Sequence, residues 1–301
     1  MHFMAQKNEL IYHIVAFVTV AIWGSTFIST KVLIMNGLSP AQIFTLRFVM
    51  AYVLMLAFSH KKIFSNTLKD ELLMLALGVT GGSAYFLTEN EALRFSTATN
   101  VSLIVCSCPL FTTILFWLFI KGTHLSHKQV LGTVLAFVGM AVVVLNGRFV
   151  LHLSPLGDSL AFGACLCWSA YSILMKFVTD KYSSAFITRK VFFYGLLTIL
   201  PYYLVEPGFP SMSLLLRPEV LYNLLFLGCI ASMLCFLTWT WCMYHLGAMR
   251  ATNYVYVNPI TTIVFAAWIL DEKITPYFIF GSLFILVGLY LSNKSRSEAL
   301  S

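Results

Sequence analysis

Apolar stretches of about twenty residues follow one another along nearly the whole chain, separated only by short polar segments. A helix needs about 20 such residues to cross about 30 Å of hydrocarbon. On that criterion ten spans are expected, at 11–32, 40–58, 71–94, 97–120, 128–146, 157–178, 186–205, 219–245, 250–270 and 275–292. The pattern implies an all-α polytopic membrane protein.

The second half of the pattern repeats the first. Trp23-Gly24-Ser25-Thr26-Phe27-Ile28-Ser29-Thr30-Lys31 returns as Trp168-Ser169-Ala170-Tyr171-Ser172-Ile173-Leu174-Met175-Lys176, and the segment from Pro109 to Ile114 returns as Pro259 to Ile263. Gly132 and Gly139 answer to Gly281 and Gly288. Five spans per half is an odd number, so a second half built like the first enters the bilayer from the other side, and two inverted five-helix repeats are expected. The division reads as a tail at 1–10, a first repeat at 11–146, a connector at 147–156, a second repeat at 157–292 and a tail at 293–301. Two similar halves rocking about a shared cleft expose one site alternately to either side, which is how secondary carriers work.

Composition sharpens this reading. With 59% hydrophobic and 10% charged residues among 301, and a mean hydropathy of +0.85, the chain has too little polar surface to coat a soluble globule. The first apolar run is full length and is not followed by a small-residue cleavage pattern, so it reads as a retained helix rather than a signal peptide. Basic residues concentrate on one side of the expected spans, at Lys7, Lys61, Lys62, Lys69, Lys121, Lys128, Lys176, Lys181, Arg189, Lys190, Arg250, Lys294 and Arg296, against Lys31, Arg94, Arg148, Arg217 and Lys273 on the other. That asymmetry places both termini in the cytoplasm, in the inner (plasma) membrane, and accounts for the net charge of +7. No basic run exceeds two residues, so a nucleic-acid patch is not indicated. All seven cysteines fall inside expected spans without His or acid at metal-ligand spacing, and neither a metal nor a cofactor is implied.

Ionisable groups within a span are costly in lipid and mark candidate sites. Arg47 lies seven residues past Pro40, about 10 Å deep at 1.5 Å per residue, and Glu89 lies at a similar depth in the third span. A charge pair is geometrically possible, one that engages a zwitterionic substrate, or is broken by protonation during the cycle, or stands as a permanent bridge. Tyr85, Thr88, Asn90, Asn100 and Ser102 accompany it, and the second half offers Trp239, Trp241, Asn253, Tyr256 and Asn258 in the equivalent region. Such polar side chains must find helix partners or line a wet cavity. Trp23, Thr26 and Thr30 share one helical face, as do Trp168, Tyr171, Ser172 and Met175, and the two tryptophans are expected to face the cleft from opposite halves. Pro109 and Pro259, at equivalent places in the fourth and ninth spans, read as mid-helix kinks, either bending points for gating or fixed bends. The glycine pairs, two turns apart, fit close helix packing within one chain better than dimerisation, leaving monomer or homodimer open.

These residues together resemble a known family. Trp23-Gly24-Ser25, Ser39-Pro40 with Arg47, Ala92-Leu93 with Thr97-Ala98, Pro109 and the paired glycines, then the same outline ending in Pro259 and Leu270-Asp271-Glu272-Lys273, look like the drug/metabolite transporter (DMT) superfamily, EamA type. The resemblance implies a ten-helix carrier with inverted halves that exports small metabolites. Glu272 has no carboxylate counterpart in Lys121-Gly122-Thr123-His124, so the two gates need not behave alike.

The leading functional reading is a secondary active exporter of small amphiphilic metabolites, amino acids or their analogues first, with protons as a coupling candidate and a small molecule and the lipid bilayer as partners. A lipid-linked carrier of the same superfamily is the alternative. A phosphate-cradling Gly-x-x-x-x-Gly-Lys, a His-Glu-x-x-His and a Gly-x-Ser-x-Gly are all absent, which sets an ATP-driven pump and an intramembrane enzyme aside, and a channel is set apart by electrical recording.

Overall fold

The computed structural model describes residues 2–96, 101, 104–123, 125–145, 154–204, 208–270 and 275–294. Within them the chain is helical, with no strand. The main helices are α1 His2–Met35, α2 Pro40–Phe58, α3 Leu68–Phe95, α4 Cys108–Phe119, α5 His127–Leu145, α6 Pro155–Met175, α7 Ser184–Ile199, α8 Pro218–Leu246, α9 Asn258–Leu270 and α10 Pro276–Lys294. Among the described residues, six stretches are long and apolar enough to cross a membrane: Glu9–Met35, α2, α3, α6, α8 and Pro276–Asn293. Their outer faces carry exposed Val53, Leu234 and Phe280, side chains that water would not tolerate in such number but hydrocarbon accepts. Thr97, Ala98, Asn100, Ser102, His124, residues 147–153, Glu206, Pro207, Asp271, Glu272 and Lys273 lie outside the described residues.

Local chemistry sets the helix starts. Ser39 forms a capping box at α2: its Oγ accepts from Gln42 N at 3.2 Å while Gln42 Oε1 accepts from Ser39 N at 3.0 Å. Ser154 and Ser183 cap α6 and α7 in the same way from the side chain. Pro40, Pro155 and Pro218 occupy the first turn, where the missing N–H costs nothing. Gly247, at φ +82°, reverses the chain directly after α8, a conformation a side chain would strain.

Here the structure departs from the mid-helix kinks expected of Pro109 and Pro259. Both open helices. Pro109 lies in the first turn of α4 and Pro259 is the second residue of α9, which follows a short helix Ala248–Thr252 and a 3-10 turn Asn253–Val257. Because proline lacks an N–H, a helix start satisfies it better than an interior position, and the chain breaks there instead of bending.

The two long helices of matching rank share a second irregularity. Val79–Ser83 in α3 and Phe226–Leu234 in α8 are π-helical, each absorbing extra residues and widening the turn. A glycine admits a neighbour at each: directly before the first segment a Cβ at Gly78 would strike Tyr194 of α7, and within the second a Cβ at Gly228 would strike Met50 of α2.

Contacts between the halves are reciprocal. α3 packs on α6 as α8 packs on α1; α3 packs on α7 as α8 packs on α2; α4 packs on α6 as α9 packs on α1; and α2 meets α7 while α5 meets α10. In the last pair Gly132 lies against Gly288 and Gly139 against Gly281, so α5 and α10 cross antiparallel, backbone on backbone.

Candidate functional site

The reciprocal packing leaves a cavity of about 50 Å³ between the halves. Trp23, Thr26 and Phe27 reach it from α1, Arg47 from α2, and Tyr85, Phe86 and Glu89 from α3, while Cys108 stands at the start of α4. Trp168 of α6, Phe236 of α8 and Asn258 of α9 close the other side with Val105 and Val255. Two walls thus come from helix breaks, at Val105–Cys108 and Val255–Asn258, where irregular backbone is tolerated because it faces a cavity rather than lipid.

Arg47 and Glu89 share this space, buried at 4% and 7% exposure, but they do not form the direct ion pair their matched depths suggest. Arg47 Nε donates to Ser232 Oγ at 2.8 Å, and its guanidinium carbon lies 4.5 Å from the centre of the Phe86 ring. Glu89 Oε1 accepts from Tyr85 Oη at 2.9 Å. Each charge is anchored by a neutral neighbour: Tyr85 is one turn back on the same helix, and Ser232 is presented by the π-helical segment of α8. Chemically, this keeps a carboxylate and a guanidinium in one chamber, with the remaining guanidinium donors free of that bond.

The aromatic wall is built from both halves, as the sequence suggests for Trp23 and Trp168. Their ring centroids lie 5.4 Å apart at an interplanar angle of 86°. Trp239, fully buried behind them, lies 5.1 Å from Trp23 and 6.2 Å from Trp168. Trp23 Nε1 donates to Ala231 O at 2.9 Å, taking up a carbonyl inside the π-helical segment. Trp168 Nε1 is buried with no acceptor among the described residues. Such a donor costs about 1–3 kcal/mol while unsatisfied.

Other candidates take structural places. Thr26 lines the cavity but donates to Trp23 O at 2.7 Å. Tyr171 is fully buried against Gly81, Ser172 Oγ accepts from Thr252 Oγ1 at 3.1 Å, and Asn253 Nδ2 donates to Ser292 Oγ at 2.8 Å, tying the ninth segment to α6 and α10. Asn90 and Tyr256 are buried outside the lining. Trp241 packs beside Tyr12 and His245 instead. Glu91 pairs with Arg94 at 3.1 Å and accepts from Tyr202 Oη at 2.9 Å, a boundary role. Sequence reasoning missed Phe86, Phe236, Cys108 and Ser232. Phe86 and Phe236 had a signal, being identical residues at equivalent places of the third and eighth spans; Ser232, opposite a glycine in the repeat, had none.

Helical bundles doubled in this way, with an ionisable and aromatic chamber between the halves, belong to membrane transporters. The sequence profile of the EamA-like transporter family matches residues 10–145 and again 155–294, so the chain belongs to that family. An uncharacterized transporter of Archaeoglobus fulgidus is 25% identical over 95% of this chain and 98% of its own length. A protein of Escherichia coli (strain K12) named "Probable amino-acid metabolite efflux pump" is 24% identical over 93% of each chain. Another, from Streptantibioticus cattleyicolor, named "Probable terminal-alkyne amino-acid exporter", is 24% identical over 92% of this chain and 91% of its own. A solved crystal structure has the same fold, with a TM-score of 0.73 at 18% identity over 93% of this chain and 96% of that one. The protein is a multi-pass membrane transporter of the drug/metabolite superfamily, and its family indicates transport rather than catalysis.

Proposed function

We propose that the protein is a secondary active exporter of small amphiphilic metabolites, amino acids or their analogues first, working by alternating access. The observation that carries this reading is the single chamber holding Arg47 and Glu89 between tryptophans of the two halves. A zwitterion offers a carboxylate to Arg47 and the Trp168 N–H and an ammonium to Glu89, while its side chain rests on the aromatic rings. Two relatives named for amino-acid export point the same way.

In this reading the units 11–146 and 157–292 are inverted five-helix repeats joined through 147–156, ten spans in all, with the short tails 1–10 and 293–301 in the cytoplasm of a cell with an inner (plasma) membrane. Support comes from the reciprocal helix contacts and the antiparallel crossing of α5 and α10. A chamber of about 50 Å³ holds a few waters and no amino acid, so the halves must part to load it. A recess of about 510 Å³ at the ends of α4, α6 and α8, lined by Phe116, Lys176 and Met243, is the side from which it opens to the cytoplasm. The helix breaks at Pro109 and Pro259 are the points where the gates turn. Proton coupling runs through Glu89, which releases its proton to bind the ammonium.

The test is uptake of labelled amino acids into inverted vesicles with and without a pH gradient. Accumulation driven by the gradient and lost in Glu89→Gln is the expected result; unchanged transport in that variant removes the carboxylate from the mechanism, and no uptake of any amino acid refutes the substrate class.

A further inference from the structure

Away from the chamber, the loop after α2 and the loop before α7 enclose a recess of about 380 Å³. Its lining includes His60, Lys61 and Lys62 from one loop and Lys181, Tyr182 and Phe186 from the other. The backbone beneath is held firmly. The buried Arg189 donates to the carbonyls of Ser59 and Lys62, so the loop turns its oxygens inward and its basic side chains outward. Nearby carboxylates are already engaged: Asp70 accepts from Lys181 Nζ at 2.9 Å and from Tyr182 Oη at 2.9 Å, and Glu71 is taken by Lys190 and Tyr194. Among the described residues Lys62 Nζ meets neutral partners, Asn66 and the rings of Tyr182 and Phe186 at 4.7 and 5.5 Å, and Lys61 is exposed. The recess is therefore a cationic basin whose own anions are spent.

Its rim is apolar. Phe58, Ile63 and Phe64 are exposed at 66%, 64% and 72% at the end of α2 and in the loop that follows, which is where a membrane helix meets the headgroups. We propose that the recess binds the phosphate headgroup of an anionic glycerophospholipid, with Lys61 and Lys62 on the phosphate and the acyl chains running past Phe58, Ile63 and Phe64. A free phosphate would use the same lysines but gain nothing from the apolar rim, and for that reason the lipid is the favoured source. The site is separate from the transport chamber and stands whether or not the substrate assignment above holds.

The experiment uses the full chain in detergent, incubated with phosphatidylglycerol, with phosphatidylcholine of the same acyl chains, and with sodium phosphate. Retained lipid is read by native mass spectrometry and stabilisation by thermal melting. Phosphatidylglycerol is expected to be retained about fivefold more than phosphatidylcholine. The preference is expected to fall in Lys61→Gln, to vanish in the Lys61→Gln/Lys62→Gln double variant, and to survive in Lys69→Gln, whose lysine lies outside the recess. Because Lys61 is exposed, the single variant keeps the test valid if the double variant folds poorly. Equal retention of the two lipids, a preference unmoved by these variants, or equal stabilisation by sodium phosphate would overturn the proposal.

Discussion

Arg47 Nε and Ser232 Oγ are 2.8 Å apart, joining the middle of α2 to the π-helical segment of α8. The bond ties a charge of the first half to a backbone irregularity of the second. Serine is small enough to sit at 0% exposure there and still present an acceptor. Ser232→Ala strips the buried guanidinium of that acceptor, and a loss of about 2 kcal/mol is expected, read as a lowered Tm of the detergent-purified protein. Ser232→Thr, which keeps the hydroxyl, is expected to recover most of it.

The two cavity tryptophans make opposite demands on substitution. Trp23 spends its N–H on Ala231 O, whereas Trp168 has no acceptor among the described residues. Trp23→Phe is therefore expected to cost about 1 kcal/mol of stability. Trp168→Phe is expected to leave the melting temperature nearly unchanged while weakening substrate binding. Paired melts and transport assays on the two variants check this, and equal destabilisation by both would show that the Trp168 N–H is bonded after all.

At the crossing of α5 and α10 the tolerance is almost nil. A Cβ on Gly139 would lie 2.6 Å from Gly281 O and 2.7 Å from Ile285 N, both backbone atoms that cannot swing aside. Gly139→Val is expected to cost about 3 kcal/mol or more and to abolish a monodisperse peak on size-exclusion chromatography. Gly122→Ala, where nothing lies within 4 Å, is the comparison for a glycine required only by its positive φ of +79°. There the expected cost is about 1 kcal/mol.

Alkaline pH is expected to loosen the loop before α7. The hydrogen bond to Asp70 raises the Lys181 ammonium above the ordinary lysine value. A group whose folded value is raised stabilises the fold fully below its unfolded value, about 10.4 for lysine, and loses that contribution as pH climbs through the folded one. Proteolysis between α6 and α7 should therefore quicken above about pH 10 in the wild type, while Lys181→Gln is expected to show the faster cleavage already at neutral pH.

Much of this architecture was legible in the amino-acid order, and what was hidden has physical reasons. Six of the expected spans, the doubling from Trp23 to Trp168 and the glycine pairs are carried by residue type and spacing, which hydropathy and periodicity read directly. Hydropathy is blind to a π turn, because an inserted residue changes the register but not the mean, so the partners of Arg47 and Trp23 in α8 could not be foreseen. Pro109 looked like a kink because a continuous apolar run conceals a helix that ends and restarts. The depth argument for Arg47 and Glu89 placed both in one chamber; it could not see that Tyr85 and Ser232 reach them first.

The antiparallel glycine crossing has one more consequence. Since α5 and α10 touch through main chain at two points two turns apart, sliding or swivelling either would drive a carbonyl into its neighbour. In the alternating-access cycle proposed above, the pair is expected to act as a fixed axle. Spin labels placed on its two ends should report the same separation at every stage of the cycle, leaving the travel to the helices around the tryptophans.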